Sequence, residues 1–486
     1  MNYKVVFSIL GKAILIEAFL LIIPLFVGVI YNENNYLCFL IPMILLFIIG
    51  IPLTLLKCPD NSLYAKEGFV IVSFSWIVFS LFGALPFVIS GDIPNYIDAL
   101  FETISGFTTT GASILDNNGL EQMSNAVMFW RMFTHWIGGM GILVFVLAIM
   151  PTNNVGVMRV FKAESPGPSA SKLVTKLRFT ARILYSIYII LTLIEVVLLW
   201  AGGLSLFDSF LMAFTTAGTG GFGILGDSAV SYSSFVQVVI AIFMMLFSIN
   251  FNFYYLLLIG SVSKAFAMEE VRAFLILTFT STIIISINLF LSLKNIYTTY
   301  FDALKHSFFQ VMTISSTTGL FSTNVDLWPA LSMGILYFLM FIGACGGSSG
   351  GGLKVSRMII LGKSCTADFK KLLHPRSVVS SKFEGEIVSA ETERNVRTYF
   401  IVWLIIVIIS TLLLSLERKF NLLTNFTATL ACINNIGLCV NVVGPPCNYL
   451  AYSYFSKIVL SLTMLLGRLE IFPILILFSR RTWKKY

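Results

Sequence analysis

Residues 101–112, FETISGFTTTGA, form a polar stretch closed by glycine, set between two apolar segments that are each long enough to cross a bilayer. The pattern recurs. Aligned on the closing glycine, the four stretches are FETISGFTTTG to Gly111, LMAFTTAGTGG to Gly221, FQVMTISSTTG to Gly319 and TATLACINNIG to Gly437. They lie about 100 residues apart, too far for a solenoid repeat and right for a helix–loop–helix unit in a membrane. Each begins with mostly apolar or small residues, enough for a short half-helix, and ends with two or three Thr, Ser, Asn or Gly residues before the glycine. The pattern predicts re-entrant half-helices over 97–108, 206–216, 303–316 and 422–433, each followed by a polar loop.

Physical chemistry explains these residue types. Unpaired backbone at membrane depth survives only where protein encloses it or where it lines a watery cavity. Glycine takes left-handed dihedrals, so consecutive carbonyls can face one axis and replace the hydration shell of an ion. Threonine hydroxyls add acceptors, and the C-terminal end of a half-helix is its negative end. Such a site favours a dehydrated monovalent cation. The bland rival is a set of four polar bends between helices.

Composition agrees. With 57% hydrophobic and 12% charged residues in 486, the chain reads as an all-α polytopic membrane protein with no soluble domain of useful size. Spans are expected at 8–30, 37–56, 68–90, 127–150, 180–201, 234–260, 272–293, 328–350, 399–416 and 452–478, which makes ten crossings. The fold expected is therefore four pseudo-symmetric helix–pore loop–helix units around one pore, at 61–155, 156–265, 266–385 and 386–486, preceded by two extra helices within 1–60. The formal net charge of +8 reflects topology and not nucleic-acid binding. Between residues 151 and 182, Arg159, Lys162, Lys172, Lys176, Arg178 and Arg182 oppose only Glu164, whereas 31–36, 91–98 and 202–209 carry no Lys or Arg. The basic segments 151–182 and 353–397 and the end Arg480, Arg481, Lys484, Lys485 are thus expected on the cytoplasmic side, with both termini. Basic residues at 294–305 and 417–419 fall on the other side, so the rule holds in balance.

Other features carry less. Cys38, Cys58, Cys345, Cys365, Cys432, Cys439 and Cys447 form no CxxC pair and are odd in number, so they read as packing residues. Gly218, Gly220 and Gly223 match a dinucleotide-loop spacing without its strand–helix context. Gly346–Lys354, GGSSGGGLK, lacks the ending of a phosphate loop. Because each glycine costs a helix about 1 kcal/mol relative to alanine, this segment is expected to break the helix that begins near 328 and to leave a flexible stretch below the polar loops. Arg468 and Glu470 fall inside the last span, where the guanidinium faces either the ion path or an acid such as Glu470. At about 8 Å and an effective dielectric near 20, the first arrangement would repel a cation by about 2 kcal/mol. Glu17, at membrane depth in the first span, is a candidate functional carboxylate or a partner within the bundle. Arg131 and His135 are expected near a span end in packing or interfacial roles. The three histidines at 135, 306 and 374 are too dispersed for an active site, so no enzyme is indicated. A carrier coupling cation entry to H⁺ or Na⁺ is the transport alternative, although carriers of that kind usually show two corresponding halves and not four units.

The motifs SGFTTTGAS, HWIGGMGI, FTTAGTGGFG, TISSTTG, GGSSGGGLKVSR and GRLEIFP together resemble the membrane subunit of the Trk/Ktr/HKT superfamily of potassium transporters, closest to the bacterial TrkH/TrkG type. The likeness runs from about 68 to 478. It implies a K⁺ filter at Thr108, Thr109, Thr110 and Gly111, at Thr219, Gly220 and Gly221, at Ser316, Thr317, Thr318 and Gly319, and at Asn434, Asn435, Ile436 and Gly437. It also implies an intramembrane gating loop of Gly346, Gly347, Ser348, Ser349, Gly350, Gly351 and Gly352, faced by Arg468. Glycine in all four units resembles the potassium-selective members. The resemblance further implies K⁺ as the transported ion with Rb⁺ as a substitute, the bacterial inner membrane, a homodimer, and a cytosolic nucleotide-binding ring of the TrkA/KtrA kind. No covalently bound cofactor is implied, and nucleotide enters only through that partner. Two departures stand out: the fourth loop reads NNIGLCVNVVGPP, with Cys439 where a small or polar residue is expected, and 368–397 mixes acids and bases.

Overall fold

Asn95, Ser205, Thr299 and Asn421 each accept a hydrogen bond from a first-turn amide and so start the helices Tyr96–Phe107, Leu206–Ala217, Tyr300–Ser315 and Leu422–Ile433. In the first three an aspartate follows at the third helical position, Asp98, Asp208 and Asp302, near the positive end of the helix. Ser205 and Thr299 also donate to their aspartates, at 2.7 and 2.6 Å. These are the four expected half-helices, within a few residues of the sequence reading.

The computed structural model describes residues 1–56, 65–141, 177–376, 380–438 and 448–483. Among them, six helices are long and apolar enough to cross a bilayer: Tyr3–Ile30, Leu37–Thr54, Lys66–Ser90, Arg182–Ala201, Glu269–Ser292 and Ala390–Ser415. Their outward faces are apolar. On Ala390–Ser415, Ile401, Leu404, Ile405, Ile408 and Leu412 are all exposed at helical spacing, which suits lipid and not water. The Tyr3 hydroxyl donates to the Trp483 carbonyl at 2.9 Å, so the two described ends of the chain meet on one face.

Three expected spans are broken. The span expected at 234–260 is Ser234–Ser248 followed by Phe251–Leu258, bent by 88°. The one expected at 328–350 is helical only over Ala330–Phe341, ending before the glycines. The last divides into Tyr454–Arg468 and Phe472–Leu477, with Glu470 and Ile471 both left-handed at φ 54° and 65°. The partner expected at 127–150 is helical over Asn125–Gly139, and its remainder beyond Gly141 lies outside the described residues. Cys58, Cys439, Cys447, Lys484, Lys485 and most of 151–182 also lie outside them.

Among the described residues, one element is not helical. Lys382–Phe383 pairs antiparallel with Glu386–Ile387 across a two-residue turn in which Glu384 and Gly385 both have positive φ, the geometry that matches hairpin twist. This hairpin sits in the charge-mixed segment after the Val355–Leu373 helix.

Candidate functional site

The four half-helices end in the same backbone device. Thr109, Thr219, Thr317 and Asn435 are left-handed, with φ of 54°, 53°, 62° and 54°. Their amides donate to Gly106, Thr216, Ile314 and Cys432 carbonyls, and the next amides, of Thr110, Gly220, Thr318 and Ile436, donate five residues back to Ser105, Thr215, Thr313 and Ala431. That pair of bonds closes a helix in a Schellman motif, here without the glycine it usually favours at the left-handed position. The chain leaves each helix through a second left-handed residue, Gly111, Gly221, Gly319 or Gly437.

These glycines form a closed cycle. A Cβ on Gly111 would lie 2.0 Å from the Gly220 carbonyl oxygen, one on Gly221 1.9 Å from Thr318 O, one on Gly319 1.9 Å from Ile436 O, and one on Gly437 2.2 Å from Thr110 O. Each loop therefore abuts the carbonyl of the next, and the fourth returns to the first. On one side of the ring a cavity of about 450 Å³ is lined by all four closing glycines with Asp116, Arg131, Phe222 and Tyr449. Tyr449 donates to the Gly437 carbonyl at 3.1 Å.

Side chains that brace the ring differ between loops. In the first, Thr108 donates to Ile104 O at 2.6 Å, so its contact with Thr110 at 2.8 Å is one it accepts. In the third, Ser316 and Thr318 hydroxyls meet at 2.6 Å. The second has glycine at both positions, and the His135 ring fills the space: a Cβ on Gly220 would lie 2.1 Å from His135 Nδ1. In the fourth, Asn434 donates to Met340 O and accepts from Trp403, while the Asn435 amide donates to Thr110 Oγ1 at 2.9 Å and to Met464 O at 3.1 Å.

Arg131 and His135 are wholly buried, not interfacial, because each is paired behind the ring. Arg131 Nε meets Glu102 Oε1 at 2.8 Å, and its other nitrogens donate to Gly223 O and Ser113 Oγ. Glu102 in turn accepts from Ser113 Oγ at 2.9 Å and Ile114 N at 3.0 Å. A buried pair with its remaining hydrogen-bonding groups occupied is the form in which such charges are tolerated. Glu102 was not singled out from the sequence, although a carboxylate in a half-helix between spans is itself a signal.

Opposite the cavity lies the glycine-rich loop. Gly351 N donates to Thr317 Oγ1 at 2.7 Å, and Gly350 and Gly351 approach the Ser316 and Asn434 carbonyls so closely that a Cβ would lie 2.9 and 2.7 Å from them. The loop is anchored, where the sequence suggested a flexible stretch. Ser349 donates to Phe247 O through both its amide and its hydroxyl, Gly346 N donates to Glu270 Oε1 at 2.7 Å, and Gly347 O accepts from Phe251 N at 3.0 Å. These partners lie at the break after Ser248 and at the start of Glu269–Ser292, so the bend in the earlier span serves as the loop's seat. Ser348 closes a local turn onto Cys345 O, and Gly352 is the second left-handed glycine of the loop after Gly347. Lys354 donates to Gly350 O. Arg468 donates to Ser349 O at 3.0 Å and to Gly138 O and Gly139 O at 2.5 and 2.8 Å. Glu470 is bound instead by Arg357, which stands over the Tyr399 ring. Glu17 is buried on Tyr3–Leu20, a helix outside the four loops.

A bundle of apolar helices long enough to span a bilayer, enclosing short capped helices, defines a multi-pass membrane protein, and comparison with known proteins narrows the class to transporters. Residues 38–485 match the family described as TrkH, cation transport protein. The Trk system potassium uptake protein TrkH of Escherichia coli (strain K12) is 32% identical, with each chain covered over 100% of its length. The Trk system potassium uptake protein TrkG of the same strain is 29% identical, over 99% of each. The crystal structure of the potassium transporter TrkH from Vibrio parahaemolyticus superposes with a TM-score of 0.88 at 29% identity, with 100% of both chains covered. The chain belongs to the TrkH family of cation transport proteins, and it is a transporter and not an enzyme.

Proposed function

We propose that this protein admits K⁺ across the bacterial cytoplasmic membrane through a filter formed by Thr108–Gly111, Thr219–Gly221, Ser316–Gly319 and Asn434–Gly437. The observation that carries the reading is the closed cycle of glycines, each against its neighbour's carbonyl oxygen. Oxygens fixed in that way can replace the water of a potassium ion, and the four half-helices end toward them, which favours positive charge. The names of the relatives, potassium uptake proteins, agree with K⁺ as cargo.

In this reading the chain is four pseudo-symmetric units, at 61–155, 156–265, 266–385 and 386–486, around one pore, with 1–60 outside them. The loop Gly346–Gly352 is the gate: it occupies the end of the ring opposite the cavity, and Arg468 and Lys354 hold its tip through carbonyls. Both termini are cytoplasmic. Two copies pair in the membrane, and a cytosolic nucleotide-binding ring of the TrkA kind docks on the basic segments 151–182 and 353–397, pulling on the Val355–Leu373 helix that leaves the gate directly. Uptake of radiolabelled Rb⁺ by cells lacking their own potassium systems, competed with K⁺ and Na⁺, tests the reading. Saturable uptake blocked by K⁺ and not by Na⁺ is expected; equal competition by both ions would overturn it. Repeating the assay in vesicles with imposed H⁺ or Na⁺ gradients separates passive flux from coupled entry.

A further inference from the structure

The second loop lacks the hydroxyl pair that braces the first and third, and a histidine outside the loop stands in its place. We infer that His135 is a positioning residue for ion selectivity, acting through Thr215 on the Gly221 amide; the inference rests on the reading of the ring as a filter.

The bond chain runs from ring to backbone. Gly221 N donates to Thr215 Oγ1 at 3.0 Å, and Thr215 Oγ1 lies 3.0 Å from His135 Nδ1. The corresponding amide in the third loop, Gly319 N, reaches a main-chain oxygen, Thr313 O, at 3.2 Å. Thr215 also differs from its neighbour Thr216, whose hydroxyl donates back along the helix to Met212 O. Having accepted from Gly221, the Thr215 hydroxyl needs an acceptor of its own, and among the described residues that acceptor is His135 Nδ1. With Nδ1 accepting, the proton of the neutral ring sits on Nε2, which is buried without a hydrogen-bond partner among the described residues.

Packing fixes the ring in that pose. It stacks on Phe222 with centroids 4.2 Å apart and planes 24° apart, and the Arg131 guanidinium lies 3.7 Å from the centre of the same Phe222 ring. The other side of the imidazole meets Gly220, and a Cβ on Gly218 would fall 2.3 Å from His135 O. The glycines of TAGTGG therefore make room for His135, and the carbonyl that Gly220 presents to Gly111 is held between the ring and the first loop. Moving His135 shifts the position of one filter oxygen without touching the ion itself. The expected signature is loss of discrimination with transport retained.

The test uses the full-length protein in cells lacking their own potassium uptake, with K⁺ and Na⁺ competing against radiolabelled Rb⁺, and with thermal melting of the purified protein alongside. His135→Phe keeps the stacking and loses the acceptor; Thr215→Val keeps the shape and loses the hydroxyl. Each is expected to lower K⁺-over-Na⁺ preference about tenfold, the effect of leaving a buried polar group unpaired, while maximal uptake persists. His135→Asn, whose Oδ1 reaches the place of Nδ1, should restore the preference. If His135→Phe does not accumulate, Thr215→Val carries the test alone. Wild-type preference in Thr215→Val, or a loss in His135→Asn equal to that in His135→Phe, overturns the inference. Wild-type protein that fails to prefer K⁺ overturns the filter reading and this inference together.

Discussion

The first and third polar loops hold themselves, and the second and fourth are held by others. Thr108 with Thr110, and Ser316 with Thr318, clasp within their own loops. Gly218 and Gly220 leave that work to His135, whereas Asn434 and Asn435 reach out to Met340, Trp403, Thr110 and Met464. Yet all four share one backbone: a left-handed residue after the half-helix, a bond five residues back, and a left-handed glycine abutting the next loop. The lesson is that the repeat lives in the main chain. Side chains need only hold that main chain still, and different sets of hydrogen bonds do so in the four loops.

The largest effect should come from what the loops share. Alanine at Gly111, Gly221, Gly319 or Gly437 combines about 1–2 kcal/mol of left-handed strain with a clash against a neighbour's carbonyl. K⁺ uptake or K⁺-over-Na⁺ preference should fall about a hundredfold at every one of the four. A glycine that tolerates alanine would break the ring at that point. Next comes the Glu102–Arg131 pair, which joins the first loop to the second. Arg131→Met strands a buried carboxylate and should destabilise the protein by about 3–5 kcal/mol, read as a fall in Tm that Glu102→Gln in the same chain partly restores.

Two smaller predictions, and a third at the glycine that matches Thr318, sharpen the contrast. Arg468→Ala frees Ser349 O and removes a positive charge, so uptake should rise, by at most about thirtyfold if the charge lies about 8 Å from the path at an effective dielectric near 20. Unchanged uptake would place the gate elsewhere. Thr318→Val removes a hydroxyl from a self-clasped loop and should cost about 1 kcal/mol in stability by thermal melting. Gly220→Ala, at the matching position, should be as harmful as a closing-glycine change because the His135 ring is in the way.

Much of this was legible in the residues, for reasons that also mark the limits. Half-helices were readable because apolar runs too short to span end in polar, glycine-closed loops, and the caps at Asn95, Ser205 and Thr299 carry their aspartates three residues on. The Gly346–Gly352 break was readable because glycine is a strong punctuator, but its anchoring was not: Phe247, Glu270 and Thr317 come from distant segments. Breaks at Ser248–Phe251 and at Glu470–Ile471 carried only short local signs, the capping Asn250 and Pro473 in the first turn of the helix that follows. Neither Glu470 nor Ile471 is a residue that favours positive φ, and the Arg357–Glu470 pair that meets this break spans more than a hundred residues of chain. His135 read as a packing or interfacial residue, and its packing against the second loop was hidden because the glycines that accommodate it, Gly218 and Gly220, read first as part of the loop itself.

The most direct measurement is the position of bound ions. Crystals of the protein grown in Rb⁺, with anomalous scattering recorded at the rubidium edge, should show peaks on the axis between Gly111, Gly221, Gly319 and Gly437, ringed by the carbonyls of Thr110, Gly220, Thr318 and Ile436. Rubidium peaks confined to other parts of the molecule at saturating concentration would contradict the account.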